Sequence, residues 1–258
     1  MSLQDLWTTT QEGKVYARTG GPAAHADAAK AVLVHGMVVS SRYMVPTAQR
    51  LARLCRVYAI DLPGYGKSYK PARILSVGEL ADALIAWMDA IDIDRSHFIG
   101  NSFGCQIIAE LAARYPKRVD RLVLQGPTVD PQARSVGKQI LRLALNSMRE
   151  PKSLGMISLL DYRAAGWHRA RATMRLVLED RIEDKLPHIQ APTLVVRGMR
   201  DPLVPSDWAK RIVELLPHGT LHEIEGAPHT INFSMPDEFV AAIAPFLRLP
   251  SSASNEPA

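Results

Sequence analysis

The stretch HFIGNSFGCQIIAELAARY, residues 97–115, decides how this chain is read. It opens with a short apolar run, His97 to Ile99, turns at Gly100-Asn101-Ser102-Phe103-Gly104, and continues into a helical pattern that stops before Pro116. A residue ahead of proline is pushed out of the helical region, so a helix end at Tyr115 is expected. Gly-x-Ser-x-Gly between a strand and a helix makes a tight turn that pushes the serine hydroxyl outward. The flanking glycines remove side chains that would collide with neighbouring backbone. A serine hydroxyl is a poor nucleophile until it is exposed, aligned and given a base. The turn meets the first two needs, which makes Ser102 the candidate nucleophile.

Working outward, similar β-prone runs recur at Lys14–Arg18, Ala31–Val34, Arg56–Ile60, Arg121–Leu124, Thr193–Val196 and near Thr220–Ile224. The central runs are continuous rather than alternating, as in strands buried on both faces. Helical patterns separate them: Tyr43 to Leu54, Val77 to Ile91, Asp207 to Leu216 and Pro236 to Phe246. This alternation predicts an α/β fold, a mostly parallel central sheet with helices on both faces. Sites in such sheets lie at the carboxyl ends of the strands. Between Gly126 and Pro192 the alternation breaks, with helical stretches Val136 to Met148 and His168 to Leu178. We read about 127–190 as a small helical lid inserted into one domain, and the Ser/Pro/Asn-rich tail, 250–258, as disordered.

The third need, a base, is met by His229 in Gly226-Ala-Pro-His229, a loop after the last strand pattern. The acid to orient it is Asp201, just beyond the run at Thr193–Val196. A carboxylate there would hold the imidazole in the tautomer that leaves its other nitrogen free for the serine proton. Nucleophile, acid and histidine then follow in that chain order. Asp130 is the rival acid, placed well behind. An oxyanion would rest on the N–H of Phe103, unpaired at a helix start, and on the N–H of Met37 after His35-Gly36. His35 itself is read as a brace for its loop. Asp61-Leu-Pro-Gly-Tyr-Gly-Lys-Ser68 lacks the spacing of a phosphate loop and is read as a structured turn with Asp61 bonding backbone. Ser41, Met148, Tyr162 and Trp167 are the candidate pocket residues.

Composition narrows the function classes. Among 258 residues, 47% are hydrophobic and 22% charged, the balance of a globular chain. The only cysteines, Cys55 and Cys105, lie in apolar surroundings without metal-site spacing and are read as buried fillers. Formal charge is +5, concentrated between Pro131 and Arg175, where nine lysines and arginines face only Glu150 and Asp161. No nucleic-acid reader element accompanies them, so a solvated cationic helical face is the preferred reading. No run reaches the ~20 apolar residues of a membrane span. The expectation is a cytoplasmic protein acting on a small molecule, with no nucleic-acid or membrane partner, no metal and no cofactor. Homo-oligomerisation is left open.

Taken together, His35-Gly36, Asp61 to Ser68, Gly100 to Gly104, Asp201 followed by Val204-Pro205, and Gly226 to His229 resemble the α/β-hydrolase superfamily over roughly residues 14 to 248. The resemblance implies Ser102 as nucleophile, Asp201 as acid, His229 as base, and Met37 and Phe103 as oxyanion donors. Serine at the nucleophile position argues against the epoxide-hydrolase and haloalkane-dehalogenase branches. The Gly-Asn-Ser start looks like the branch that cleaves carbon–carbon bonds in ring-fission products. That branch carries a lid arginine and tryptophan, for which Arg163, Trp167, Arg169 and Arg171 are candidates without a clean match. The expected activity is hydrolysis of a small or medium carboxylic ester, lactone or thioester through an acyl-enzyme. The alternatives are carbon–carbon hydrolysis of a vinylogous diketone acid and a non-catalytic ligand-binding role.

Overall fold

Eight β-prone segments pair into one sheet in the computed structural model, which describes residues 2–22 and 28–250. In chain order the strands are β1 (Gln4–Thr9), β2 (Lys14–Gly20), β3 (Lys30–Val34), β4 (Arg56–Ile60), β5 (Ser96–Asn101), β6 (Val119–Gln125), β7 (Thr193–Gly198) and β8 (Gly219–Ile224). Their spatial order is β1-β2-β4-β3-β5-β6-β7-β8. The pairs β1/β2 and β2/β4 are antiparallel, and every later pair is parallel. The fold is thus a mostly parallel sheet, as the alternating pattern implied. β5 lies inside it and every residue of that strand is buried.

The helices are α1 (Val45–Leu51), α2 (Val77–Asp89), α3 (Phe103–Arg114), α4 (Val136–Ser147), α5 (Lys152–Ala165), α6 (Trp167–Glu179), α7 (Ile182–Lys185), α8 (Ser206–Leu215), α9 (Ile231–Ser234) and α10 (Pro236–Phe246). One apolar layer packs Leu80, Leu84, Trp87 and Met88 of α2 and Ile107, Ile108 and Leu111 of α3 beneath the sheet. The other sets Ala48 and Leu51 of α1 against Phe239 and Ile243 of α10. α2 starts at a capping box, Ser76 Oγ accepting from the N–H of Glu79 while the Glu79 carboxylate accepts from the N–H of Ser76.

Two elements differ from the sequence reading. β1 is not among the β-prone runs named above, yet it forms the edge strand; only Thr8 in it is buried, so it lacks the apolar run that marks the inner strands. α5 lies between the two helices expected in the lid. The expected disordered tail falls, from residue 251 on, outside the described residues.

Candidate active site

Ser102 stands between the last residue of β5 and the first of α3, with φ 54° and ψ −118°. A non-glycine residue in that region is strained, and such strain persists only where surrounding structure enforces it. Here the Ser102 N–H donates to the Gln125 carbonyl at 3.0 Å and the Cys105 N–H donates to the Ser102 carbonyl at 2.9 Å. α3 then runs close under β3: a Cβ on Gly104 would sit 2.4 Å from the Val34 carbonyl oxygen. Only glycine fits there. Phe103, as the first residue of α3, presents an N–H that the helix leaves unpaired, at the positive end of its dipole. Met37 lines the cavity over Ser102 and follows Gly36, whose own N–H donates to the Tyr43 hydroxyl at 2.8 Å.

His229 and Asp201 converge from the loops after β8 and β7. His229 Nδ1 lies 2.7 Å from Asp201 Oδ2. The other oxygen, Oδ1, accepts from the N–H of Leu203 at 2.7 Å and of Val204 at 3.3 Å, so the carboxylate cannot turn away. With Nδ1–H directed at Asp201, Nε2 is the ring atom left to accept a proton; it is buried and has no partner among the described residues. Burial opposes a charge on the ring, but the Asp201 carboxylate, by charge and hydrogen bond, and then the Glu150 charge raise the His229 pKa above its ordinary value. Gly126, at φ +59°, lets β6 pass the imidazole, since a Cβ there would lie 2.9 Å from His229 Cε1.

A buried chain of side chains ties these parts together beneath the cavity. The Tyr43 hydroxyl donates to Asn101 Oδ1. Asn101 Nδ2 donates to Gln125 Oε1 at 2.6 Å, and Gln125 Nε2 to the His229 carbonyl at 2.5 Å. Burial keeps the Tyr43 phenol neutral and able to donate. The loop after β3, the Ser102 turn and the His229 loop are therefore fixed relative to one another. Sequence reading found neither Tyr43 nor Gln125. Neither belongs to a motif, and Gln125 bonds to residues 24 and 104 positions away.

His35 takes the bracing role expected of it: Nδ1 donates to the Gly36 carbonyl at 2.8 Å and Nε2 accepts from the N–H of Leu62 at 3.1 Å. Asp61 bonds backbone, accepting from the N–H of Ser41 at 2.6 Å and of Lys67 at 2.7 Å. Asp130 does not reach His229; it caps the turn at Gln132 and pairs with Arg142 at 2.9 Å. Cys55 and Cys105 are free and buried.

The cavity above Ser102 measures about 390 Å³ and is shared by Ser102, His229, Met37 and the lid. Of the four expected pocket residues, Tyr162 lines it and three do not. Ser41 is buried in the turn that bonds Asp61. Met148 and Trp167 are 77% and 82% exposed, on the outer face of the lid. α4 is turned opposite to the usual amphipathic sense, burying Gln139 and Asn146 while Ile140 and Leu141 face outward; α5 buries Leu154 and Asp161 and leaves Met156 and Leu159 exposed. Buried lid polar groups are anchors; Asp161 accepts from Ser40 Oγ at 2.7 Å. Neither do the lid arginines enter the cavity. Arg163 and Arg171 are exposed, and Arg169 lies over Gly64 and donates to the Pro71 carbonyl at 2.9 Å. On the lid side Lys152, Glu150, Asn146, Ser147 and Ser158 line the cavity together with the apolar Leu143, Pro151 and Leu154.

Among the described residues, no helix is long and apolar enough to cross a membrane, and no cluster of His, Cys, Asp and Glu is arranged to hold a metal ion. The putative carbamate hydrolase RutD of Caulobacter sp. (strain K31) is 28% identical over 264 residues, covering 92% of this chain and 97% of that protein. The 2-hydroxy-6-oxononadienedioate/2-hydroxy-6-oxononatrienedioate hydrolase of Burkholderia vietnamiensis (strain G4 / LMG 22486) is 27% identical over 223 residues, 75% of this chain and 76% of that one. Among solved structures, the enol-lactonase from Burkholderia xenovorans LB400 superposes with a TM-score of 0.78 at 22% identity, over 94% of this chain and all of that one, a likeness of fold. The family model for the alpha/beta hydrolase family matches residues 31–242, and the chain belongs to that family as a serine-dependent hydrolase.

Proposed function

We propose that this enzyme hydrolyses a small acidic substrate at an acyl carbon, with Ser102 as nucleophile, His229 as base and Asp201 as its orienting acid. Within that chemistry a vinylogous diketone acid, cut at a carbon–carbon bond, fits better than a simple carboxylic ester. The observation that carries this reading is the ammonium-bearing Lys152 in the lid-side lining of the cavity over Ser102. A plain alkyl ester gives Lys152 nothing to pair with, whereas a substrate carboxylate pairs with an ammonium group. The sequence relatives support the same choice. The Burkholderia vietnamiensis hydrolase takes, by its name, a hydroxylated oxo-dienedioate, and the Pseudomonas sp. (strain CF600) relative a hydroxymuconate semialdehyde. At about 390 Å³ the cavity is of the size that small ligands occupy.

In this mechanism His229 Nε2 takes the Ser102 proton as Oγ attacks the ketone carbonyl. The tetrahedral oxyanion rests on the N–H groups of Phe103 and Met37. The carbon–carbon bond breaks, its electron pair delocalises into the vinylogous enone, and the imidazolium returns the proton to that carbon. Water, deprotonated by the same ring, then releases the acid from Ser102. The ester reading differs only in the leaving group, and one observation favours it: no arginine lines the cavity among the described residues.

The test compares a 2-hydroxy-6-oxo-dienedioate, followed by loss of its visible absorbance, with p-nitrophenyl acetate and butyrate. The diketone acid should show the higher kcat/KM. Lys152→Ala should raise its KM tenfold or more and leave the neutral esters nearly unchanged, and Ser102→Ala should lower turnover of both by at least a thousandfold. A preference for esters that Lys152→Ala does not alter would sink the diketone reading.

A further inference from the structure

α4 presents a polar stripe of Arg142, Asn146 and, continuing into the next turn, Arg149 and Glu150, at steps of three and four residues. Each member reaches one of the two loops that carry Asp201 and His229. Arg142 donates to the Leu203 carbonyl at 3.2 Å, and the Leu203 N–H is itself a donor to Asp201 Oδ1. Arg149 donates to the Arg200 carbonyl, next to Asp201 in the chain. Asn146 Oδ1 accepts from the N–H of His229 at 3.0 Å. Glu150 Oε1 accepts from the N–H of Thr230 at 2.8 Å and from Asn146 Nδ2 at 3.0 Å.

We infer that this face of the lid assembles the acid–base pair: Arg142 and Arg149 hold the loop of Asp201, and Asn146 and Glu150 hold the loop of His229. The productive Asp201–His229 geometry then exists only with the lid seated. The four residues are positioning residues. Two of them, Arg142 and Arg149, belong to the basic segment, and Arg142 also pairs with Asp130 at 2.9 Å. The inference rests on His229 being the base and is independent of the substrate.

Two physical arguments support it. First, the donors and acceptors engaged are main-chain groups of the catalytic loops, so their loss displaces the loops rather than merely loosening a side chain. A displacement of about 1 Å in a catalytic group costs on the order of a hundredfold in rate. Second, Glu150 Oε2 is buried with no hydrogen-bond partner among the described residues, so the carboxylate keeps much of its field. That field favours the protonated ring of His229. The charged groups facing the ring are Asp201 from the loop after β7 and Glu150 from the lid, while Lys152 lines the same cavity.

The experiment measures the rate at which a fluorophosphonate labels Ser102, from pH 5 to 9, in the full chain and in Asn146→Ala, Glu150→Gln and Arg142→Met. Asn146→Ala and Arg142→Met should label at least tenfold more slowly at every pH. Glu150→Gln keeps an oxygen for the Thr230 N–H and loses the charge. It should keep most of the alkaline plateau and move the acid limb to lower pH, which a purely structural role would not do. Amide exchange at His229 and Thr230, read by NMR, gives a second measure: both should exchange faster in Asn146→Ala and Glu150→Ala. Wild-type labelling rates together with unchanged amide protection in Asn146→Ala, or a fixed acid limb in Glu150→Gln, overturns the inference. An unlabelled Ser102 in the wild-type protein overturns the nucleophile instead, and the amide measurement still decides whether the lid holds the loops.

Discussion

At the scale of single residues, His35 shows how a titratable group is spent on structure. Both ring nitrogens are engaged, one donating and one accepting, which is possible only for the neutral ring. Burial pushes its pKa below the ordinary histidine value; Asp61, the Gly36 carbonyl and Asp161 oppose that without reversing it. The folded state therefore binds this proton more weakly than the unfolded chain. The stability His35 contributes is complete above an unfolded value of about 6.5 and is lost as pH falls through the depressed folded value. A tenfold difference in proton affinity is worth about 1.4 kcal/mol. We predict that the urea midpoint falls between pH 7.5 and 5, and that His35→Gln falls less over the same interval. His97, also pushed down by burial, adds to the slope in both proteins, so the difference between them isolates His35. Equal pH slopes would refute the assignment. The same scale marks where sequence reading stops. Ser102, Asp201 and His229 are legible because each sits in a short motif at a strand end. Gln125 and Asn146 bind main-chain groups brought near only by the fold, and no local pattern announces them.

At the scale of elements, the inner strands were legible because both faces are buried, so each reads as an unbroken apolar run. β1 escaped because its residues are nearly all at least partly exposed. The lid helices were found by their period, yet their orientation was misread. Placing Met148 and Trp167 in the pocket assumed that apolar side chains point inward, whereas α4 turns Gln139 and Asn146 inward, α5 turns in Asp161 beside Leu154, and most of their large apolar residues stay outside. The recoverable signal was the polar stripe at 142, 146 and 150, spaced for one helix face. The junction of α3 with β3 carries the prediction at this scale. A methyl group on Gly104 would lie 2.4 Å from the Val34 carbonyl and 2.7 Å from that of His35, so the helix start must lift away from the strand. Overpacking of this kind costs about 1–3 kcal/mol. Gly104→Ala should lower the thermal midpoint and also slow Ser102 labelling, because the lifted helix start carries the Phe103 N–H. Gly137→Ala, at a position with open space around it in α4, is the control and should do neither. Unchanged unfolding in Gly104→Ala would refute the close contact.

At the scale of the whole molecule, two bodies of unequal solidity share the site. Nine of the twelve residues of α3 are buried, against two of twelve in α4, and those two are Gln139 and Asn146. Burying apolar area stabilises by about 25 cal/mol per Å², and α4 buries none of its apolar side chains fully. It is held to the body largely by the polar contacts of its stripe, each worth only about 0.5–1.5 kcal/mol net. Local opening free energies follow such differences, from near zero in weakly packed parts to the global value in core elements. The division was visible in the sequence as a break in the strand–helix alternation, but its consequence was not, since it depends on which side of each helix is buried. We predict that amide hydrogen exchange followed by mass spectrometry will be fastest, among the helices of ten or more residues, in α4 and α5, with α2 and α3 the slowest. Peptides spanning 226–231 should exchange together with α4, because the His229 and Thr230 amides are capped from that helix. Reacting Ser102 with a phosphonate that fills the cavity should slow exchange in both segments at once. If 226–231 stays protected while α4 exchanges freely, the lid moves without the histidine loop and the two bodies are independent.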